Sequence, residues 1–436
     1  MRKLKVMIVL GLIVALTGFT SCKKDEPVQP HEASVQLSLE DVLCTEAWLK
    51  VSLTDGAEPR TVAIQQDGQR VLTVHLGSTD SLCVVEGLLP HRTYSFVGQL
   101  LRDSTAIDAS TAVPATTMDT TTHNFTFHLD TLGVTSSTLS DVAIIDDTLA
   151  YAVGEIYLRD STGQLDDTPY NLVKWDGARL GLKRIPFIGP CSAVNYPPLR
   201  AIWALSQGNI LVTNGGSIVR YDGSSAVMDC RMNSLLTGAI NKIYANNFGD
   251  IYVVGNSGTI VRYDGATWQR VQSGTTVTLN DVWGGSNWWV GQNGILIAAG
   301  NKYTAGKTQL LRISNTNEMD TISWLMQDRV INSIWFDGHN RVWVSGGGVF
   351  VNRGSGGWTE QPIPLIYTNR VRGNGQNDIW AVGDFGIAAH YNGLTWRDFR
   401  EVRLDGNYES VAVKGNLMIA VGWIGNRAVI LRGTDQ

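Results

Sequence analysis

Cysteine is scarce in this chain: five residues in 436, with no Cys-x-x-Cys pair and no Cys/His spacing suited to zinc. An excess of charge of one sign is missing too. Thirty-five Lys and Arg stand against 40 Asp and Glu, for a net charge of −5, and no long run of one sign follows the first thirty residues. Phosphate-backbone binding depends on clustered cations, so nucleic acid is excluded as the natural partner. The seven histidines are scattered without pairing. The chain has no Gly-x-Ser-x-Gly elbow, no His-Glu-x-x-His and no Gly-x-x-x-x-Gly-Lys phosphate cradle. Proline is sparse, 12 against 46 Gly and 14 Trp, a balance that suits many tight turns and aromatic wedges. With 43% apolar residues the chain is ordinary folded material with room for two or three domains.

What is present is a repeat. Seven times between Asp141 and Gly422 a short apolar strand and a polar turn lead into a second strand that closes on a small residue. The second strands read Ala150–Gly154, Ile210–Asn214, Ile251–Gly255, Trp288–Gly291, Val342–Gly346, Ile379–Gly383 and Met418–Gly422. Four of the spacings lie near 40 residues, and each longer one coincides with a polar insertion. A period of that size built from strands and turns predicts an all-β fold, a seven-bladed β-propeller, because a lone four-stranded blade cannot bury its faces.

A second signature follows the first, as in Ile260-Val261-Arg262-Tyr263-Asp264-Gly265-Ala266-Thr267-Trp268. Asp176-Gly177, Asp222-Gly223 and Asn392-Gly393 occupy the same place, and Asp-Gly or Asn-Gly predicts a hairpin whose central residues both take positive φ. These turns resemble the Asp-box hairpins of sialidase-like propellers, without the leading Ser or Thr of that box. The last repeat ends at Ala428–Gly433 without a fourth strand, whereas Asn124-Phe125-Thr126-Phe127-His128-Leu129-Asp130 is aromatic and alternating. This segment is expected to supply the missing outer strand and close the ring. The propeller then spans 123–436, with blades at roughly 134–195, 196–236, 237–275, 276–326, 327–365, 366–404, and 405–436 together with 123–130.

Ahead of it, residues 1–21 read as an export signal: Arg2, Lys3 and Lys5, then an apolar core from Val6 to Phe19 that is too short to span a membrane. Thr20-Ser21-Cys22 resembles a bacterial lipoprotein signal, which implies lipidation at Cys22 and a tether over 22–32. Lys23-Lys24-Asp25-Glu26 is similar to the export signal of Bacteroidota-type surface lipoproteins, and implies an outer-membrane protein facing the cell exterior. Residues 33–122 alternate in short runs and predict a β-sandwich. Trp48 falls where a core tryptophan is expected, and Leu88-Leu89-Pro90-His91-Arg92-Thr93-Tyr94 resembles the tyrosine corner of fibronectin type III domains. The expected role of this module is a spacer. Cys44 with Cys83 and Cys191 with Cys230 are the pairings that keep the domains independent; buried free thiols are the equal alternative.

Aligned on their apolar anchors, the innermost strands place Ser140, Arg200, Asn241, Asn280, Asn332, Asn369 and Glu409 at one level. Seven polar side chains there form a candidate ligand site at the channel mouth, for a sugar or a peptide end. The competing reading is that they satisfy strand-end backbone groups. Asp160, Asp166 and Asp167 lie in a polar insertion, but their spacing fits no calcium loop and favours a solvated turn. A second insertion covers Gly300–Lys307. Arg184-Ile185-Pro186 echoes a sialidase motif but falls on an outer strand. The whole chain resembles surface lipoproteins of Bacteroidota and Ignavibacteria-like bacteria that join a fibronectin-like module to a propeller. Some of these carry a glucosyltransferase name, which the absence of a metal-binding Asp-x-Asp here does not support. The expected function is non-catalytic binding or scaffolding of a glycan, peptide or protein partner, with no cofactor. The alternative is a carbohydrate-active propeller enzyme, hydrolase or lyase, whose carboxylate pair would be set by space rather than sequence.

Overall fold

The computed structural model describes residues 34–54, 60–189, 192–287, 291–301, 304–314, 318–322, 324, 326, 328–353 and 357–435. The expected signal, the Cys22 anchor and the tether lie outside the described residues. Alternating apolar positions in the first hundred described residues generate eight strands: β1 (Ser34–Val42), β2 (Glu46–Thr54), β3 (Thr61–Gln66), β4 (Gln69–His75), β5 (Asp80–Glu86), β6 (Thr93–Arg102), β7 (Thr105–Ala109) and β8 (Val113–Thr116). They form two facing sheets, β1-β2-β5 and β4-β3-β6-β7, with β8 also on β6. Ala47, Leu49, Val51, Val62, Ile64 and Phe96 fill the space between them. The Tyr94 hydroxyl accepts the Leu89 backbone N–H at 2.9 Å, tying a loop to the strand five residues on.

Trp48 departs from expectation. Side chains alternate along a strand, so with Ala47 and Leu49 facing the sandwich core Trp48 points the other way, yet it is only 1% exposed. It is covered at the junction with the rest of the molecule, where its indole N–H donates to Glu46 Oε1 at 3.1 Å. Glu46 in turn receives Arg341 Nε at 2.7 Å, and both ionic side chains are 1% exposed. Asp41 accepts from His339 Nδ1 at 2.6 Å and from the Asn340 N–H at 2.8 Å. Thr121 and Asn392 exchange two hydrogen bonds of 3.1 Å. The sandwich is therefore docked on the larger domain through buried charge and is no free spacer. Cys44 and Cys83 are free thiols, bonded to the carbonyls of Asp119 and Leu49 respectively. Cys230 is disulfide-bonded, and its expected partner Cys191 lies outside the described residues.

Among the described residues the remainder forms seven four-stranded antiparallel sheets and one two-stranded hairpin, Phe187–Gly189 with Ser192–Asn195. Their innermost strands are Thr138–Asp146, Ala201–Ser206, Ile240–Asn247, Leu279–Asn287, Ile331–Phe336, Thr368–Gly375 and Gly406–Lys414. The chain is a seven-bladed β-propeller. Each blade buries its faces against its neighbours, so the core consists of seven wedges rather than one centre. Blade one, for example, packs Val142, Ala150 and Val173 on Ile419 and Ile430 of blade seven. The outer strand of blade seven is β9 (Phe125–Leu132), paired along its length with Arg427–Asp435. Phe125 and Phe127 insert between blades six and seven, with ring centroids 4.9 Å from Trp380 and Phe399 respectively.

Two local readings are corrected. In blade four the second strand is Gly291–Asn301, with Ile295–Ala299 in register with Leu279–Gly284, because that longer apolar run is the one that fills the wedge. Of the Trp288–Gly291 strand read from the sequence, residues 288–290 lie outside the described residues. In the Asp-Gly turns only the glycine takes positive φ, as at Gly177, Gly223 and Gly265. The aspartate stays on the ordinary side and its carboxylate accepts two backbone N–H groups: Asp264 Oδ1 takes Ala266 at 2.9 Å and Thr267 at 2.8 Å. This is a four-residue turn closed by a side chain, not a two-residue turn.

Candidate functional site

Each inner strand begins at one face of the wheel and ends at the other. At the beginning, the register with the second strand slips by one residue in six blades, and the residue left over is Ser140, Asn241, Asn280, Asn332, Asn369 or Glu409. The sequence-aligned polar level is thus a ring of β-bulges. A bulge crowds the strand opposite, which explains the closing glycine of the repeat. A Cβ on Gly154, Gly255, Gly346, Gly383 or Gly422 would collide with a backbone carbonyl of the preceding inner-strand segment.

The freed side chains staple blades together. Asn241 Nδ2 donates to Leu279 O at 3.0 Å, Asn332 Nδ2 to Asn369 O at 2.8 Å and Asn369 Nδ2 to Tyr408 O at 3.0 Å, each reaching the next blade. Asn280 Nδ2 bonds Gly300 O within its own blade at 2.9 Å, and Glu409 accepts the Trp423 indole N–H at 3.0 Å. Arg200, just before its strand, is the exposed member of the seven.

One residue further along, Asp141, Lys242, Asp281, Ser333, Arg370 and Ser410 meet on the axis, joined by Arg372. All are buried. Lys242 Nζ contacts the two oxygens of Asp141 at 2.7 and 2.6 Å, and Ser410 Oγ donates to Asp141 at 2.7 Å. Asp281 takes both Arg372 Nη atoms at 2.8 and 2.9 Å, Arg370 Nη1 at 2.9 Å and Ser333 Oγ at 2.6 Å. Backbone N–H groups of Ile202 and Ile334 complete the two carboxylates. Burial opposes ionisation of Asp281, but Arg372 and then Arg370 outweigh it and hold the carboxyl well below the usual range. Asp141 is likewise held ionised by Lys242 against its own desolvation. Burial pulls the Lys242 ammonium down to about 8, which leaves it charged at neutral pH. The cluster therefore carries three cations, Lys242, Arg370 and Arg372, against two carboxylates, and it plugs the channel. The sequence missed it because a lone charged residue on an apolar strand gives no signal until seven strands converge.

Beyond the plug, toward the ends of the inner strands, lies an axial cavity of about 240 Å³. Its walls are Val142, Ile144, Ile202, Val411 and Val413 with Trp203 and Trp283, and its polar side chains are Lys242, Arg372 and Lys414. The Arg372 guanidinium sits 4.6 Å over the Trp283 ring. None of the seven ring residues lines this cavity. The sandwich docks on the face where it opens, against the turns of blades five and six that carry Asn340 and Asn377.

The other sequence candidates have local roles. Asp160 accepts from Thr162 and Gln164 N–H groups within its turn. Asp166 pairs with Arg184, whose guanidinium lies 4.1 Å over Tyr170, so that arginine fastens the insertion. Among the described residues no three His, Cys, Asp or Glu gather in a metal-binding group.

No protein-family model matches the chain, and no curated protein matches it. Solved structures do. The chain is similar to a YCF48 structure bound to a D1 peptide, at 16% identity, covering 73% of this chain and 99% of that one with a TM-score of 0.52. It is similar to virginiamycin B lyase from Staphylococcus aureus, at 13% identity, 71% and 99% coverage and a TM-score of 0.51. YCF48 from Cyanidioschyzon merolae matches at 13% identity, with 70% and 98% coverage and a TM-score of 0.50. At these identities the likeness establishes the β-propeller fold alone.

Proposed function

We propose that this chain is a cell-surface lipoprotein, anchored through Cys22 in the outer membrane, whose propeller binds a glycan, peptide or protein partner without transforming it. The axial cavity carries the reading. Its lining is aliphatic, aromatic and cationic and contains no carboxylate, whereas glycoside hydrolysis needs two carboxyl groups facing each other across about 5 to 10 Å. The two axial aspartates stand outside the lining, neutralised by Lys242, Arg370 and Arg372. That a YCF48 structure similar to this fold carries a peptide supports a peptide or protein ligand. The sheet order β1-β2-β5 and β4-β3-β6-β7 and the Tyr94 hydroxyl bond support a fibronectin type III-like module in front.

Glycan and peptide arrays probed with the full chain test the binding role. Ala412→Trp, which sets a ring on the cavity wall beside the wedge of blades one and seven, is expected to abolish capture in protein whose melting temperature shows it folded, while Arg200→Ala and Asn280→Ala on the opposite ring leave it intact. Capture that survives Ala412→Trp but fails in the ring variants moves the site to the bulge face. Turnover of any array member overturns the non-catalytic reading. The anchor is tested by metabolic labelling with an alkyne fatty acid, which Cys22→Ser is expected to abolish.

A further inference from the structure

Resting on the binding role proposed above, we infer that the axial cavity captures the free C-terminal carboxylate of a peptide chain. The charged side chains on its walls are all donors: the Lys242 ammonium, the Arg372 guanidinium and the Lys414 ammonium. The Trp283 N–H is already spent on Phe336 O at 2.7 Å. The Trp203 N–H is buried out of reach of water and contributes no donor to the cavity. An ionised carboxylate is acceptor-only, with room for several donors, and its bonds to cations are the strong kind. Sugar hydroxyls must donate as well as accept, and find no side-chain acceptor on these walls.

The charge balance points the same way. Glu409 acts on Arg370 from the ring side and offsets the third cation of the plug, but the side chains turned toward the cavity, Lys242 and Arg372, are both cationic. An entering carboxylate meets these cations in a desolvated place where an ion pair is worth more than in water. Topology selects the end of a chain over a side chain within one. The ion cluster closes the channel behind the cavity, so a threaded polymer cannot pass through, and the narrow axial space of about 240 Å³ admits a terminus. Val142, Ile144, Ile202, Val411 and Val413 suit apolar side chains on the last residues.

The test uses the full chain and short peptides randomised over their last residues, in free-acid and amidated forms, with oligogalacturonate as the sugar-acid arm. Free-acid peptides ending in apolar residues are expected to bind, and amidation to weaken them about tenfold or more, the equivalent of one charge-assisted contact. Lys414→Glu, at the exposed rim and outside the plug, is expected to weaken them about fivefold with the melting temperature unchanged, and Ala412→Trp to abolish binding. Equal affinity for amide and acid overturns the carboxylate assignment while leaving the binding role standing, as does preference for oligogalacturonate. Failure of every peptide and glycan to bind overturns both.

Discussion

His123 Nδ1 lies 2.9 Å from His390 Nδ1, although the two residues are 267 positions apart in the chain. His123 belongs to the segment that leaves the sandwich, and His390 to a buried strand of blade six, stacked on Trp380 with centroids 4.9 Å apart. His390 Nε2 reaches Asp378 at 3.1 Å, and His123 Nε2 reaches Thr395 at 3.2 Å. Two imidazoles joined nitrogen to nitrogen require one donor and one acceptor, so the bond fails when both rings are protonated.

The pair makes the molecule acid-sensitive. Burial, with His390 and Arg397 beside it, lowers His123 from 6.5 to about 4. The unfolded chain then binds more protons than the folded one between those values, so stability falls as pH drops from 6.5 toward 4. The expected loss is of order 1 kcal/mol, a fraction of the nominal shift because His123 is partly in contact with water. His339 acts in the opposite sense, since Asp41 raises it and its contribution fades as pH rises. Melting curves of the native chain and His123→Gln from pH 4 to 7 separate the two: the variant is expected to lose the acid-side slope. An unchanged slope rejects His123 as its source.

The axial plug is expected to be intolerant of half-removal. Asp141→Asn leaves the Lys242 ammonium buried without a counter-charge, and breaking such a pair costs about 3–5 kcal/mol. Asp141→Leu combined with Lys242→Met removes both charges and is expected to recover most of that loss. Urea denaturation of the single and double variants decides it; a double variant no better than the single would show that Arg370 and Arg372 alone set the cost.

The bulge ring is expected to act on stability. Asn369→Ala removes the bond to Tyr408 O and leaves a buried carbonyl short of a donor, for about 1–2 kcal/mol. Thermal unfolding should register it, and array binding should not change. Loss of binding at constant stability would instead give the ring the ligand role read from sequence.

The wheel was legible because its signals are local and repeated. The Val-Gly closure follows from a bulge that leaves no space for a Cβ, and the Asp-Gly turn from a carboxylate that caps two N–H groups. Aromatic alternation at Phe125 and Phe127 is as visible in sequence as in space. The plug and its cavity were not legible, since Asp141, Lys242, Asp281 and Arg370 each occur once, on different blades, and their meeting depends on ring closure. Trp48 was placed in the wrong layer for a related reason. Period two fixes which residues share a face, but a strand buried on both faces gives no hint of which face is the sandwich core.

Besides its buried ion pairs, the docking of the sandwich needs one glycine in the blade-six turn. Gly393 has φ of +95°, where a residue with a Cβ is strained by about 1–2 kcal/mol. A methyl group there would also overlap Cys44 Sγ and come within 2.9 Å of Asn377 Cβ, so the sandwich must lift to accommodate it. The two thiols report on this separately. Burial raises both Cys44 and Cys83 to about 11, which keeps them protonated and slow toward disulfide reagents. Cys83 lies in the sandwich core and Cys44 at the junction. In Gly393→Ala, Cys44 is expected to become reactive to an aromatic disulfide at pH 8 while Cys83 stays protected, as read by mass mapping of the labelled peptides. Equal protection of both thiols would show that the blade-six turn does not hold the sandwich in place, and exposure of both would show that the module had unfolded rather than undocked.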